Sequence, residues 1–384
     1  MNNVERSRVE EQFDDAKENI LNNSDFPSYL NDSGNKFYEK DMFNNALKSF
    51  LLSYDVTKDS KCLLNIIEMM VNNKIFDTAE KLCKIYQARN LDDFEFYDYA
   101  KQVSRGKSLW KSPIDENFVR QFDLPTISFL HIPKTAGLTL LYILNQLYPL
   151  ARIHFHIGEV GYIKQFIEKD AVTRNSYDVI PGHLLFGVHK YIDRKVVYFT
   201  MLREPIVRTV SEYYFILRKK PNFTGDYIIE NKIGLKEYVL TKCHGYNTYL
   251  DNCQVQYLAG TAAKAGERVT KSMLELAKKN LRESMAVVGI QEQFDESMLI
   301  LKKKFGWTMD PFYLKQNSAK SNPKLSEIDE DTMKVLIENN QYDIELYNYA
   351  MELFAEHKKE YGENLKRDVN EFRYFNNIYQ GLLS

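Results

Sequence analysis

Thr126–Leu147 reads TISFLHIPKTAGLTLLYILNQL, a buried strand, a tight loop and a helix in immediate succession. Ile127, Phe129 and Leu130 give the first part β-forming apolar character, and the leucines and isoleucine from Leu138 to Leu147 recur at helical spacing. Between them lies Pro133-Lys134-Thr135-Ala136-Gly137-Leu138-Thr139. A loop that runs into a helix N-terminus points unpaired backbone N–H groups at one spot, where the helix dipole adds partial positive charge. Such a spot holds an anion. Lys134 adds a full charge, Gly137 permits close backbone approach, and Thr135 and Thr139 bring hydroxyls. The order differs from the nucleotide-hydrolase G-x-x-x-x-G-K-[ST], because the lysine precedes the glycine and the first glycine is missing.

A second unit of the same kind follows. Tyr177-Asp178-Val179-Ile180 reads as a short strand ending at Pro181-Gly182-His183. Lys195–Leu202 is rich in β-formers and breaks at Arg203-Glu204-Pro205. Ile206, Val210, Tyr213, Tyr214 and Leu217 then take helical spacing, with Pro205 suited to the first turn. An arginine at a strand end and a serine two turns into the next helix hold a phosphate from two sides, Arg203 by its forked charge and Ser211 by its hydroxyl.

At these two places the chain resembles the sulfotransferases that use 3'-phosphoadenosine-5'-phosphosulfate (PAPS). Their 5'-phosphosulfate loop reads like H-I-P-K-T-A-G-[ST]-[ST], and the stretch L-R-E-P-I-V-R-T-V-S-E-Y-Y matches the strand-end arginine and helical serine that bind the 3'-phosphate. The resemblance runs from about Thr126 to Glu356. It implies PAPS as co-substrate and a three-layer, P-loop-like α/β fold with a central parallel sheet. It also implies nucleotide binding by Lys134, Thr135, Ala136, Gly137, Leu138, Thr139, Arg203 and Ser211. Leu138 stands where that family commonly has Ser or Thr, which removes one side-chain contact and leaves the backbone amides and Thr139.

Sulfuryl transfer needs a base for the acceptor proton and positive charge at the departing bridging oxygen. Lys134 suits the second task. His183, in a Gly-His turn at a strand end, is the preferred base, since imidazole titrates near working pH and the same element serves so in the 2-O-sulfotransferase-like branch that the chain resembles. His189, six residues on, is the alternative base or an acceptor contact. His131 reads as a packing or hydrogen-bonding residue, and Arg208, one turn from Ser211, as either an assistant or a structural group. His154, His156 and Glu159 lack a fourth ligand at defined spacing, so no metal is expected.

Farther along, Asp251–Gly260 resembles the N-x-Q-x-R-x-L-x-G segment of that branch, with Gln256 where the arginine belongs. It makes Gln254 an acceptor-binding candidate. A helix over Lys271–Arg282, a strand over Ala286–Ile290 and a helix through Phe294, Met298, Leu301 and Phe305 continue a β-helix alternation that argues for a parallel sheet. Lys315–Pro323 reads as a basic loop, with Lys315 and Lys320 as candidate phosphate contacts. Tyr342–Phe354 reads as an amphipathic helix, and the aromatic tail Phe372–Tyr379 as a cover for the core or a dimer contact.

Ahead of all this, Phe43-Asn44-Asn45-Ala46-Leu47-Lys48 recurs 33 residues later as Phe76-Asp77-Thr78-Ala79-Glu80-Lys81. Gly34, Ala46 and Phe50 fall at offsets resembling tetratricopeptide repeats, in which small residues let paired helices close and aromatics fill the gap. Phe94, Tyr97 and Ala100 suggest one more helix, and Ser104–Asp123 reads as a linker. The expected division is a helical domain over 1–105, a linker over 106–124 and a sulfotransferase domain over 125–384. The helical domain is either a docking surface for a protein or peptide or an appendage packed on the enzyme.

With 384 residues, 44% hydrophobic and 27% charged, the chain has the composition of a globular protein with one sizeable core and a smaller module. A net charge of −2 provides no global basic field, so nucleic acid is not an expected partner. Cys62, Cys83, Cys243 and Cys253 lack zinc spacing and read as free thiols of a reducing compartment. The polar, acidic start and the absence of a long apolar run argue against secretion and membrane spanning. As animal Golgi members of the family that the chain resembles usually carry a membrane anchor, the resemblance implies a cytosolic, microbial enzyme. The reading is a PAPS-dependent sulfotransferase acting on a hydroxyl of a carbohydrate or another small or carrier-bound molecule. Two alternatives stay open: a Mg-dependent nucleotide phosphotransferase using Thr135, and a helical-repeat interaction protein with a retired catalytic domain.

Overall fold

The computed structural model describes residues 26–87, 102–103, 125–148, 153, 166–218, 223–241, 250–263, 267–314 and 323–383. Four helices come first: α1 (Phe26–Glu39), α2 (Phe43–Thr57), α3 (Ser60–Asn72) and α4 (Phe76–Gln87). Phe43 and Phe76, the residues aligned by the repeat, each open a helix. Gly34 of α1 lies against the ring of Phe50 in α2 so closely that a Cβ there would come 2.4 Å from it, and Ala46 is fully buried beside them. Small residues and an aromatic thus close the hairpin as their spacing implies. Whether the array is a tetratricopeptide one is a separate matter, since helical hairpins of other kinds pack likewise. The helix suggested by Phe94, Tyr97 and Ala100 and the linker over Ser104–Asp123 lie outside the described residues.

The remaining elements are β1 (Thr126–Leu130), α5 (Gly137–Leu147), α6 (Ala171–Ser176), β2 (Val179–Gly182), β3 (Val196–Leu202), α7 (Pro205–Arg218), α8 (Phe223–Glu230), α9 (Leu235–Thr241), α10 (Cys253–Ala259), α11 (Lys271–Ser284), β4 (Met285–Ile290), α12 (Phe294–Phe305), α13 (Glu330–Asn339), α14 (Gln341–Tyr361) and α15 (Leu365–Leu383). The four strands form one parallel sheet in the order β2-β1-β3-β4. All five residues of β1 and all four of β2 are buried, so helices cover both faces, as an all-parallel sheet requires. The three-layer α/β fold is present.

Two boundaries differ from expectation. β2 runs on through Pro181 and Gly182 instead of stopping at Ile180. Proline lacks only the N–H, and β2 is the sheet's edge strand, with a single bridge from Ile153 on its outer side, so the loss is tolerated. The aromatic tail, in turn, is part of α15. Phe372 stacks on Phe312 at 5.5 Å, and both are buried, so the tail covers the core. That core is continuous: residues of α2, α3 and α4 belong to the same buried cluster as β1, β3, α12 and α15. Cys62, Cys83 and Cys253 are free and buried, while Cys243 lies outside the described residues. Among the described residues no helix is long and apolar enough to cross a membrane.

Candidate functional site

Leu130 of β1 pairs with Gly182 of β2 and with Thr200 of β3. The residues that follow these strand ends therefore meet on one edge. β1 connects through α5 to β2 on one side, while β3 lies on its other side, which makes the gap between β1 and β3 a topological switch point, where open α/β sheets bind ligands. Lys134 follows β1 and Arg203 follows β3, so both stand there.

The loop after β1 is shaped by its own backbone. Lys134 and Ala136 take left-handed conformations with φ of 69° and 62°. Thr135 between them is fully buried and donates its hydroxyl to the Ile132 carbonyl at 2.8 Å. Ala136, the N-cap of α5, offers no side-chain oxygen to that helix, so the N–H groups of the first turn are directed at the loop's mouth. Gly137 is required for a reason the sequence does not show. A Cβ there would lie 1.7 Å from the ring of His131, so only glycine lets α5 start against that imidazole.

Arg203 is held at both ends. Its N–H donates to Gln254 Oε1 at 3.0 Å, and its carbonyl accepts from Gln254 Nε2 at 2.9 Å. Its Nη1 donates to the Lys134 carbonyl at 3.0 Å. Gln254 is in turn fixed by Asp343 of α14, which accepts the N–H groups of Gln254 and Val255 at 3.0 and 2.8 Å and so caps α10 from outside. Burial pushes the Asp343 carboxyl up to about 6 despite the nearby Arg208. Glu204 caps α7, accepting from Ile206 and Val207 at 3.2 and 2.6 Å. On α7, Ser211, Phe215 and Arg218 share one face at i, i+4 and i+7, and Lys134 Nζ rests 3.7 Å from the centre of the Phe215 ring. Ser211, one turn before Phe215 on that face, is buried. Burial above all lowers Lys134 to about 8, with Glu212 pulling the other way and Arg203, Arg218 and Arg208 adding to the lowering.

Because Leu130 pairs with Gly182, the next residues, His131 and His183, stand side by side with rings stacked 4.2 Å apart. His183 Nδ1 lies 3.0 Å from the His131 carbonyl. A carbonyl can only accept, so Nδ1 carries the proton and the neutral ring has its lone pair on Nε2. His131 is buried and stacked on Phe129 at 5.3 Å, and burial first, then His183 and Lys134, hold it well below the usual imidazole range. His189 is held differently. The Tyr198 hydroxyl accepts from the His189 main-chain N–H at 2.9 Å and lies 2.8 Å from its Nδ1. This ties the ring to the first half of β3, away from the strand ends.

A family model described as galactose-3-O-sulfotransferase matches residues 107–381. The chain belongs to this sulfotransferase family. It is similar to heparin sulfate O-sulfotransferase of Drosophila melanogaster, 29% identical over 213 residues that make up 50% of this chain and 58% of the relative. It is 29% identical over 198 residues to human heparan-sulfate 6-O-sulfotransferase 1, covering 45% of this chain and 47% of the relative. With human galactose-3-O-sulfotransferase 2 it shares 24% over 220 residues, 52% of this chain and 53% of the relative. The chain spans about half the length of these curated relatives. The family's sulfuryl donor is PAPS.

Within the sulfotransferase fold, Lys134, Arg203 and His183 follow the ends of β1, β3 and β2, Ser211 lies two turns into α7, and His189 is tied to Tyr198. Gln254 is a correction: it is fully buried and spends its amide on the Arg203 backbone, so it positions that residue and does not face an acceptor. Gln256, where an arginine is expected, is fully buried too, donating to the Asp251 carbonyl at 2.6 Å and accepting from Ala263 N–H at 2.8 Å. Arg208 is fully buried behind α7, its Nη2 donating to Thr209. Leu138 is half exposed at the loop. His154, His156, Glu159, Lys315 and Lys320 lie outside the described residues, among which no group of three metal-ligating side chains occurs. Phe215 and Asp343 carry site geometry that sequence reasoning passed over, while His131, read as a packing or hydrogen-bonding residue, stacks on Phe129 and His183 and meets His183 Nδ1 with its carbonyl.

Proposed function

We propose that the protein transfers the sulfuryl group of PAPS to a carbohydrate hydroxyl. The observation that carries this is the bond from Arg203 to the Lys134 carbonyl, which joins a 5'-phosphosulfate loop to a 3'-phosphate arginine at the switch point of the sheet. Two anion sites locked at a set separation fit a nucleotide phosphorylated at both ends. In the reaction the acceptor oxygen attacks sulfur, the bond from sulfur to the bridging phosphate oxygen breaks, and the acceptor proton passes to His183 Nε2. Lys134 and the first-turn N–H groups of α5 balance the charge that develops on the departing phosphate. The carbohydrate acceptor is supported by relatives named for heparan sulfate and galactose.

The Mg-dependent phosphotransferase reading draws no support from Thr135, whose hydroxyl is spent on the Ile132 carbonyl in a fully buried position. The division into helical unit, linker and sulfotransferase domain, and a cytosolic location, are parts of the same proposal. Calorimetry with 3'-phosphoadenosine-5'-phosphate (PAP) tests it. Micromolar binding that vanishes in Lys134→Ala and Arg203→Ala is the expected result, and binding unaffected by a chelator separates it from metal-dependent chemistry. Wild-type protein that fails to bind PAP overturns the assignment.

A further inference from the structure

Helices α1–α4 precede the family match at residues 107–381, yet α4 touches the helix that forms the anion cradle. Thr78, fully buried on α4, places its hydroxyl 3.4 Å from Tyr142 Oη, 3.4 Å from Gln146 Oε1 and 3.3 Å from Tyr379 Oη. Tyr142 and Gln146 lie one turn apart on α5, and Tyr379 comes from α15. Tyr142 and Tyr379 are 2.9 Å apart at their oxygens, Tyr379 donates to Gln146 Oε1 at 3.0 Å, and Gln146 Nε2 donates to the Phe312 carbonyl at 3.1 Å.

Tyr379 gives its hydrogen to Gln146, so its oxygen accepts from Tyr142, while the Thr78 hydroxyl donates to Gln146 Oε1 and lies against the Tyr142 and Tyr379 oxygens. The cluster ties α4 to α5 and α15 and, through Gln146 Nε2, to a main-chain carbonyl. Thr78 and Tyr379 are buried and Tyr142 and Gln146 partly so, which makes a missing member costly. A second fastening lies at the other end of the helical unit, where Lys48 pairs with Asp310 at 2.9 Å and Glu371 at 2.7 Å, and Asn44 accepts from the Asp310 N–H at 2.8 Å.

We infer that the N-terminal helical unit is a positioning element of the donor site: through Thr78, Tyr142, Tyr379 and Gln146 it fixes the axis of α5, and so the aim of the N–H groups that hold the 5'-phosphosulfate. This rests on the sulfotransferase reading. Each N–H of a helix terminus points along the axis, so a small tilt of α5 about its anchored C-terminal half moves the cradle relative to Arg203. The unit therefore acts from within the enzyme.

The test uses the full chain. Thr78→Val keeps the volume and removes the hydroxyl, Thr78→Ser keeps the hydroxyl, and Tyr142→Phe removes the next link. PAP affinity is measured by calorimetry well below each variant's unfolding midpoint, and acceptor KM is measured alongside. The expected result is PAP binding about five-fold weaker in Thr78→Val and Tyr142→Phe, restored in Thr78→Ser, with acceptor KM unchanged. Hydrogen exchange on the wild type gives a mutation-free readout, in which PAP slows amides of α4 as well as α5. Unchanged PAP affinity in both variants, or α4 amides indifferent to PAP, overturns the inference. If wild type binds no PAP, the sulfotransferase reading fails instead, so the two failures are distinguishable.

Discussion

Nη1 of Arg203 donates to the main-chain carbonyl of Lys134 at 3.0 Å, across 69 residues of sequence. The bond lets one residue set the shape of two anion sites, because the carbonyl it holds belongs to the left-handed residue that turns the loop. Arg203→Lys loses the fork that spans carbonyl and phosphate together. PAP affinity should fall by about tenfold in Arg203→Lys and further in Arg203→Ala, the range of one to two charge-assisted hydrogen bonds. Calorimetry decides this, and wild-type affinity in Arg203→Lys would mean the loop holds its shape unaided.

His183 is held at the strand ends by the His131 carbonyl, whereas His189 is tied to Tyr198 within β3. His183→Ala should bind PAP as wild type does while sulfuryl transfer slows by about 10²–10⁴-fold, the usual worth of a positioned base. His189→Ala should change turnover by no more than about threefold. A transfer assay on the two variants that reversed this order would move the base to His189.

Gly137→Ala drives a Cβ into the His131 ring. The variant should lose about 1–3 kcal/mol of stability, as overpacked sites do, and should also lose turnover, because His131 supports His183 by its carbonyl and its ring. The double change Gly137→Ala with His131→Ala removes the clash, so denaturant unfolding should show the pair to be less destabilised than the sum of the single changes. Strict additivity would rule the clash out.

Lys134 titrates near about 8 in the folded protein, against 10.5 for an ordinary lysine. Below about 8 the ammonium is charged folded and unfolded, and the whole burial cost is present. Between about 8 and 10.5 the unfolded chain keeps a proton that the folded one has released, so this group's contribution to stability rises with pH across that window. Donor binding runs the other way, since the anion needs the ammonium. PAP affinity should weaken as pH rises past about 8, and binding there should take up a proton, seen as a dependence of calorimetric enthalpy on buffer. Lys134→Arg should flatten both trends.

The strand-loop-helix units at Thr126–Leu147 and Val196–Arg218 were legible because local rules decide them: apolar runs of strand length, breakers, then helical spacing. Lys134, Arg203 and Ser211 came from motifs that local order preserves. What escaped depends on partners distant in sequence. Gln254 was an acceptor-binding candidate through the segment resemblance, but the backbone it brackets belongs to Arg203, 51 residues away. Thr135 looked like a phosphate hydroxyl, and the loop's own turn claims it. Gly137 was read as making room for a ligand, whereas the group pressed against it is an imidazole. The hairpins α1–α4 were visible in the repeat, but their fusion with the catalytic core was not, since it is made through α5 and through α15, the latter 301 and 323 residues farther on at Tyr379 and Glu371.

The contact of α15 with α2 and α4 also bears on how the molecule is made. Lys48 meets Glu371, and Thr78 meets Tyr379, so the earliest helices finish packing only against one of the latest. A ribosome releases the hairpins long before that helix exists. Until then the apolar faces that α15 covers stay wet, and closing so long a loop slows the final step. Folding of the helical unit should thus be completed late, when α15 docks on α2 and α4.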